Sequence, residues 1–119
     1  MSDIKLVLAS VCKAIEEKKG EDMIVLDIRQ VSSLADFFVL CHGSNPKQVK
    51  AISESIRDVL VREFQIRPAH VEGAANAEWI LLDFLDFVVH IFEEPVRKFY
   101  NLEKLWGDAV EVEHGVLTA

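Results

Sequence analysis

The chain has 119 residues, half of them hydrophobic, and a formal net charge of −7. This length fits one domain, and the hydrophobic content is sufficient for a buried core, which argues against a disordered chain. The acidic balance argues against binding to a nucleic-acid backbone through the overall electric field and favours a basic partner.

Hydrophobic runs in the sequence are too short to cross a membrane. The longest, from Trp79 to Phe92, is interrupted by Asp83 and Asp86 and is shorter than the roughly 20 residues that a bilayer requires. The first residues lack a basic start followed by an apolar core, so we expect no signal peptide and a cytoplasmic protein. Cys12 and Cys41 lie in apolar segments without metal-type spacing, which predicts buried thiols in a reducing compartment.

The first part of the chain predicts a helix followed by two strands. Apolar residues recur at steps of three and four between Ser2 and Gly20. Ser2 is expected to cap this helix, and Gly20 to take the left-handed conformation that ends it. Apolar runs at 23–28 and 36–41 predict strands. The connection between them is too short for a crossover helix, so we expect antiparallel pairing.

A second helix and three more strands are predicted next. Asn45 is a suitable cap and Pro46 a suitable first residue for a helix that ends before Pro68. An edge strand and the two strands of a hairpin are expected to follow, at 69–72, 79–84 and 87–92.

The last segment predicts short helices up to residue 109 and a loosely held tail from 110 to 119. The domain is therefore expected to span 1–109. The order of elements predicts an α/β (α+β) fold, a single two-layer domain with a mixed, roughly five-stranded sheet and helices packed on it.

Motifs for catalysis, cofactors and metals are absent from the sequence. The four histidines are widely spaced, without HxH or HExxH, so we expect no metal site. The sequence has no GxSxG, GxGxxG or GxxxxGK[ST], so we expect no catalytic residues and no cofactor. His90 lies in mid-strand and is interpreted as a structural histidine.

A weaker pattern suggests a nucleotidyltransferase as an alternative. Gly43 and Ser44 lie between a predicted strand and a helix, where that enzyme class holds a triphosphate. Asp83 and Asp86 lie at the ends of the hairpin strands, where carboxylates could hold Mg²⁺. The spacing is Asp-x-x-Asp across a turn, whereas Asp-x-Asp would place both side chains on one face. A degenerate relative of the fold is therefore favoured over an active enzyme.

Aromatic and acidic residues occur together in the C-terminal half and are typical of a face that binds a basic protein. Core packing explains most of the aromatic side chains. Trp79, at a strand start after a polar loop, and Tyr100 are the exceptions. The acidic residues that accompany the aromatic ones are Glu72, Asp83, Asp86 and Glu103.

The run from Trp79 to Phe92 resembles the ribosomal silencing factor family, also called RsfS or Iojap-like. The resemblance covers nearly the whole chain, up to Ala109. The other segments that carry it are Asp27-Ile28, 33–39, Gly43-Ser44, Gln48-Val49, Ala51-Ile52, Glu72-Gly73 and 97–109.

This resemblance implies a nucleotidyltransferase-like fold in proteins that are not known as enzymes. It implies binding to the large ribosomal subunit through its fourteenth protein. Such binding would block joining of the small subunit and repress translation under nutrient limitation. The residues expected to bind the partner are Trp79, Asp83, Asp86, His90, Tyr100 and Glu72. Arg97 and Glu103 are expected to hold the C-terminal helices to the sheet.

The chain departs from the family pattern at two positions. Leu85 stands where the family usually has glycine, so the hairpin is expected to use another turn type, because leucine disfavours positive φ. Pro95 stands one position away from the place where the family pattern has proline. A homodimer of the free protein, formed through strand edges and the Trp79 region, is a further hypothesis.

Overall fold

The computed structural model describes residues 4–30, 33, 35–94 and 110–112. Along the chain these residues form α1 (Ile4–Glu17), β1 (Glu21–Asp27), β2 (Phe37–Gly43), α2 (Pro46–Phe64), β3 (His70–Glu72), β4 (Trp79–Asp83), β5 (Phe87–Glu93) and β6 (Val110–Val112). Neither α1 nor α2 is long and apolar enough to span a bilayer.

The sheet is mixed and has the strand order β3-β4-β5-β2-β1-β6. Strands β1 and β2 pair antiparallel, as predicted from their short connection. Strands β2 and β5 pair parallel, and the remaining neighbours pair antiparallel. The predicted mixed sheet with helices packed on it is therefore confirmed.

The prediction of roughly five strands is wrong, because the described residues already form a sheet of six. The additional strand, β6, lies in the segment that was predicted to be a tail and pairs antiparallel with β1. Its three residues are too few for an alternating pattern to identify a strand from sequence. The division of the chain between residues 109 and 110 stays a prediction.

The sheet buries apolar side chains on both faces. Helices α1 and α2 cover one face, where their apolar sides pack against residues such as Val39 and Ile91. The opposite side, which we call the far face, carries a second buried cluster that includes Leu26, Leu40 and Phe92. Side chains alternate between these faces along each strand, so the register decides which residues share the far face.

The ends of α1 differ from the prediction in one respect. Lys19, with φ of 61°, and not Gly20 takes the left-handed conformation after the helix. The N–H of Gly20 donates to the carbonyl of Ile15 at 2.9 Å. The predicted cap, Ser2, lies outside the described residues.

Both cysteines are buried thiols, as predicted. Burial, together with the nearby charge of Glu16, raises the pKa of the Cys12 thiol to about 12. A thiol in this environment stays protonated and unreactive at neutral pH.

Helix α2 begins as predicted. The Asn45 side chain accepts a hydrogen bond from the N–H of Gln48 at 2.8 Å, and Pro46 follows the cap. The Gln48 side chain in turn accepts from the N–H of Ser44 at 2.7 Å. Cap and side chain together satisfy two donors at the start of the helix.

The turn between β4 and β5 places Leu85 in a strained conformation. Leu85 has φ of 75°, and the N–H of Asp86 donates to the carbonyl of Phe84 at 3.0 Å. This is the hydrogen-bond pattern of a γ-turn, which is rare at positive φ. The leucine that departs from the family pattern therefore adopts the positive φ for which glycine is suited.

Replacing Leu85 by glycine is expected to raise the free energy of unfolding by roughly 0.5–1 kcal/mol. The side chain is 66% exposed, so its removal loses little burial while the strain at positive φ is relieved. Chemical denaturation of both proteins measures the difference.

Leu6 provides a matched control, because it is similarly exposed, at 58%, but lies within α1. Leu6→Gly should lower the free energy of unfolding by about 1 kcal/mol, since glycine is unfavourable inside a helix. A loss of stability in both variants would contradict the strain at Leu85.

Candidate functional site

Four of the predicted partner-binding residues lie on the far face, on three adjacent strands. The register places Glu72 of β3 opposite Leu81 of β4, and Leu81 opposite His90 of β5. Trp79 and Asp83 lie two positions before and after Leu81, so they share its face. The structure therefore brings Glu72, Trp79, Asp83 and His90 together, although up to 18 positions separate them in the sequence.

Trp79 and Leu81 form the apolar centre of this surface. Both side chains are half-buried and pack against the far-face cluster. Glu72 is exposed and Asp83 half-buried beside them. We call the surface formed by Glu72, Trp79, Leu81 and Asp83 the Trp79 face. An apolar centre with an acidic rim is suited to a partner that presents an apolar patch among basic groups.

Aromatic rings on the far face pack against Trp79 and against one another. The Trp79 ring centroid lies 5.0 Å from that of Phe92 and 5.9 Å from that of His90. Phe38 of β2 meets the His90 ring edge-on at 4.8 Å. These distances are typical of favourable aromatic pairs. These ring contacts hold the Trp79 indole in a fixed position.

His90 is buried, at 5% exposure, and its ring contacts Trp79. The Trp79 Nε1–H donates to His90 Nδ1 at 3.2 Å. Because an indole nitrogen can only donate, Nδ1 is the acceptor and the neutral ring carries its proton on Nε2. Within the described part of the chain, His90 Nε2 has no hydrogen-bond partner. Direct contact of His90 with a partner stays a prediction.

Burial lowers the pKa of His90 to about 4. The folded state therefore disfavours the protonated ring, whereas the unfolded chain binds a proton near pH 6.5. The stability due to the neutral ring is fully present above pH 6.5 and is lost as the pH falls from 6.5 to about 4, by up to about 3 kcal/mol. A His90→Gln variant should be less stable than the wild type at pH 7, and this difference should shrink towards pH 4.

Urea denaturation at several pH values measures this change, and the indole fluorescence of Trp79 reports its hydrogen bond. The comparison cancels the carboxylates and other histidines, which the two proteins share. A difference in stability that stays constant between pH 7 and pH 4 would contradict a buried neutral imidazole.

Asp83 and Asp86 lie at the hairpin end of the sheet. Asp83 Oδ1 accepts the N–H of Leu85 at 2.8 Å, which fixes the start of the turn. The backbone carbonyl of Asp86 accepts the N–H groups of Asp36 at 2.8 Å and Phe37 at 3.3 Å, which ties the turn to the start of β2. The side chains of Asp36 and Asp86 are exposed. The turn therefore extends the acidic rim beyond the Trp79 face.

The loop before β4 sets the position of Trp79, and Gly73 is its first residue. Gly73 has φ of 81°, and a Cβ atom added there would lie 1.9 Å from the carbonyl oxygen of Trp79. The carbonyl of Gly73 accepts the N–H of Ala77 at 2.9 Å, and Ala77 is fully buried. The resemblance included Glu72-Gly73, but only the structure shows that the glycine permits close approach to β4.

The predicted C-terminal helices, with Tyr100, Arg97 and Glu103, lie outside the described residues. The contact of Tyr100 with a partner therefore stays a prediction.

The residues of the nucleotidyltransferase alternative do not converge. Gly43 pairs with Glu93 at one end of β5, and Asp83 pairs with Val88 near the other. Five strand residues, or roughly 17 Å, separate these positions along the sheet. A triphosphate held at the Gly43 turn would lie far from a metal held by Asp83.

The Gln48 side chain already occupies the Gly43-Ser44 turn. The Ser44 N–H, which could bind a phosphate oxygen, donates to Gln48 Oε1 at 2.7 Å. Gln48 Nε2 donates to the carbonyls of Lys18 at 3.1 Å and Lys19 at 2.9 Å. The Gly-Ser turn thus serves to join α1 and α2.

Comparison with known proteins agrees with this arrangement. The family model described as "Ribosomal silencing factor during starvation" matches residues 2–118. The chain is 43% identical to the ribosomal silencing factor RsfS of Halalkalibacterium halodurans, over 99% of this chain and 100% of that protein. It is 44% identical to RsfS of Bacillus subtilis over 88% of each chain.

A solved structure shows the same fold. A crystal structure of a Chromobacterium violaceum protein is 34% identical and has a TM-score of 0.83, covering 89% of this chain and 88% of that one. The curated relatives are named as silencing factors and not as enzymes. From the family match and these identities over nearly its full length, the chain belongs to the ribosomal silencing factor (RsfS, Iojap-like) family.

Proposed function

We propose that this protein binds the large ribosomal subunit through its fourteenth protein and sterically blocks joining of the small subunit. In this proposal the block represses translation when nutrients are limiting. Membership of the silencing-factor family supports the proposal at the level of the ribosome. The observation that carries it further is the Trp79 face, an apolar centre with acidic groups beside it.

The chemistry of the Trp79 face fits a basic protein partner better than RNA. Glu72 and Asp83 would repel a phosphate backbone, and the chain as a whole carries a charge of −7. A basic protein surface would instead gain electrostatic attraction at the rim and bury Trp79 and Leu81 at the centre. Binding is therefore proposed to proceed through protein contacts, without sequence-specific recognition of nucleic acid.

The test is sedimentation of the purified protein through sucrose gradients with separated ribosomal subunits, followed by a subunit-joining assay. The wild type is expected to travel with the large subunit and to reduce the yield of joined ribosomes. Sedimentation of the protein only at the top of the gradient would contradict the proposal.

Reversing the rim charge at Glu72 is expected to weaken binding to the large subunit about tenfold, or ~1.4 kcal/mol. Glu72→Lys places a cation opposite a basic partner, and the exposed side chain can be changed without disturbing the core. Binding is measured by titrating labelled protein with large subunits.

Glu54→Lys is the matched control, because it makes the same change in net charge on an exposed residue of α2. It should bind like the wild type. Equal weakening in both variants would show that overall charge, and not the Trp79 face, determines affinity.

A homodimer of the free protein remains part of the proposal. Strand β3 forms one edge of the sheet, with His70 and Glu72 exposed beside the Trp79 face. Pairing of two such edges would cover this face. Light scattering over a range of concentrations tests the stoichiometry, and a dimer that binds the large subunit unchanged would contradict a covered face.

A further inference from the structure

Three side chains with metal-binding chemistry meet on the far face, at the opposite end of the sheet from Asp83. They are Glu21 at the start of β1, His42 in β2 and Glu94 directly after β5. One ligand atom from each lies within 4.8 Å of those of the other two. Within this group, His42 Nε2 lies 3.1 Å from Glu21 Oε2.

The strand register explains this convergence. Glu21 pairs directly with His42, and His42 pairs with Phe92 of the parallel strand β5. Glu94, two positions after Phe92, continues on the same face. The register of β1 shifts between Glu21 and Ile24. Because of this shift, Glu21 and Ile24 face the same side of the sheet although three positions separate them. The register of β1, β2 and β5 thus brings one potential ligand from each strand or strand end close to the other two.

The burial of the three groups suits a site that is fixed on one side and open on the other. His42 is 4% exposed, so the fold holds its ring in place. Glu94 is half-buried and Glu21 exposed, which leaves a path from solvent. The carboxylate of Asp22 lies 4.0 Å from His42 Nε2 and adds a third negative charge. Three carboxylates around one imidazole concentrate negative charge, which favours a bound cation.

The ligand types select the class of ion. An imidazole ligand favours zinc and related transition metals, which also accept carboxylate oxygens, whereas Mg²⁺ and Ca²⁺ prefer oxygen alone. We propose that Glu21, His42 and Glu94 bind a divalent transition-metal ion, with Zn²⁺ as the best match. Water or Asp22 would supply a fourth ligand.

This site is independent of the proposed ribosomal function. It joins the start of β1 to the ends of β2 and β5. An ion bound there therefore stabilises the folded state and not the unfolded chain. Without metal, His42 Nε2 lies within hydrogen-bonding distance of Glu21 Oε2, at 3.1 Å, and the experiment separates these two arrangements.

The test is calorimetric titration of the full chain, stripped of metal with a chelator, with ZnCl2 and separately with MgCl2. Binding of one Zn²⁺ per chain at micromolar or lower Kd is expected, together with a rise in Tm, while Mg²⁺ gives neither. Glu94→Gln and His42→Gln should each weaken Zn²⁺ binding at least about tenfold, since even outer-shell changes cost that much.

His70→Gln is the matched control, because His70 is exposed and lies on β3 at the far edge of the sheet. It should bind Zn²⁺ like the wild type. Should His42→Gln fail to fold, Glu21→Gln and Glu94→Gln retain the test, because neither side chain is fully buried. Absence of Zn²⁺ binding by the wild type, or equal binding by all variants, would overturn the proposal.

Discussion

Replacing Trp79 by alanine is expected to weaken binding to the large ribosomal subunit about thirtyfold or more, a loss of at least ~2 kcal/mol. The indole is the largest side chain at the centre of the Trp79 face and is held in place by Phe92 and His90. Tryptophan is enriched among the residues that contribute most to binding at protein interfaces, and a ring that is already held in place loses little entropy when it binds. Titration with purified large subunits measures the change.

A conservative variant separates the ring from its hydrogen bond. Trp79→Phe keeps an aromatic ring over Phe92 but cannot donate to His90, so it should bind within a few-fold of the wild type. Circular dichroism of each variant at the assay temperature shows whether it is folded. A folded Trp79→Ala variant that binds like the wild type would remove Trp79 from the interface.

Replacing Gly73 by alanine is expected to lower the free energy of unfolding by about 3 kcal/mol. Two effects add at this position, a φ of 81° and a new Cβ atom 1.9 Å from the carbonyl oxygen of Trp79. That oxygen belongs to the backbone of β4, so the loop or the strand must move. Chemical denaturation measures the loss, and the displaced start of β4 should also weaken subunit binding.

Gly43→Ala is the matched control for this substitution. The three atoms nearest to a Cβ atom at Gly43 would all belong to the Gln48 side chain, the closest at 3.2 Å, and Gly43 does not have positive φ. A flexible side chain can shift, so the loss of stability should be well below that at Gly73. Equal losses at both glycines would contradict the close approach of Gly73 to Trp79.

Local signals in the sequence predicted the elements that depend on neighbouring residues. The Asn45 cap with Pro46 located the start of α2, and the short connection after β1 predicted its antiparallel pairing with β2. Both are confirmed, because capping and short loops depend only on residues close in sequence. The end of α1 was misplaced, since Lys19 and Gly20 can both take the left-handed position.

Long-range arrangement was harder to predict. The parallel pairing of β2 with β5 brings Phe38 to His90 and joins residues about 50 positions apart. No short pattern in the sequence encodes such a contact. The approach of Glu21 to His42 and Glu94 was also missed, because these residues have no metal-type spacing along the chain.

The candidate site was predicted in part. Aromatic and acidic residues indicated the C-terminal half, and the register now places Glu72, Trp79 and Asp83 on one face. The mid-strand position of His90 indicated a structural histidine, and its burial at 5% exposure agrees with this interpretation. The sequence could not show which face of the sheet the ring occupies, because both faces look alike in a strand whose residues are nearly all apolar.

The position of β6 has a consequence for the order in which the chain folds. Val112 pairs with Val25, which was synthesised 87 residues earlier. During translation the outer edge of β1 is therefore complete long before its partner exists, and it exposes unpaired backbone groups throughout. Contacts between such distant residues also form slowly. The last strand of the described residues is thus the one that covers the outer edge of β1, and a nascent chain that stalls before Val110 would leave β1 free to pair with another strand.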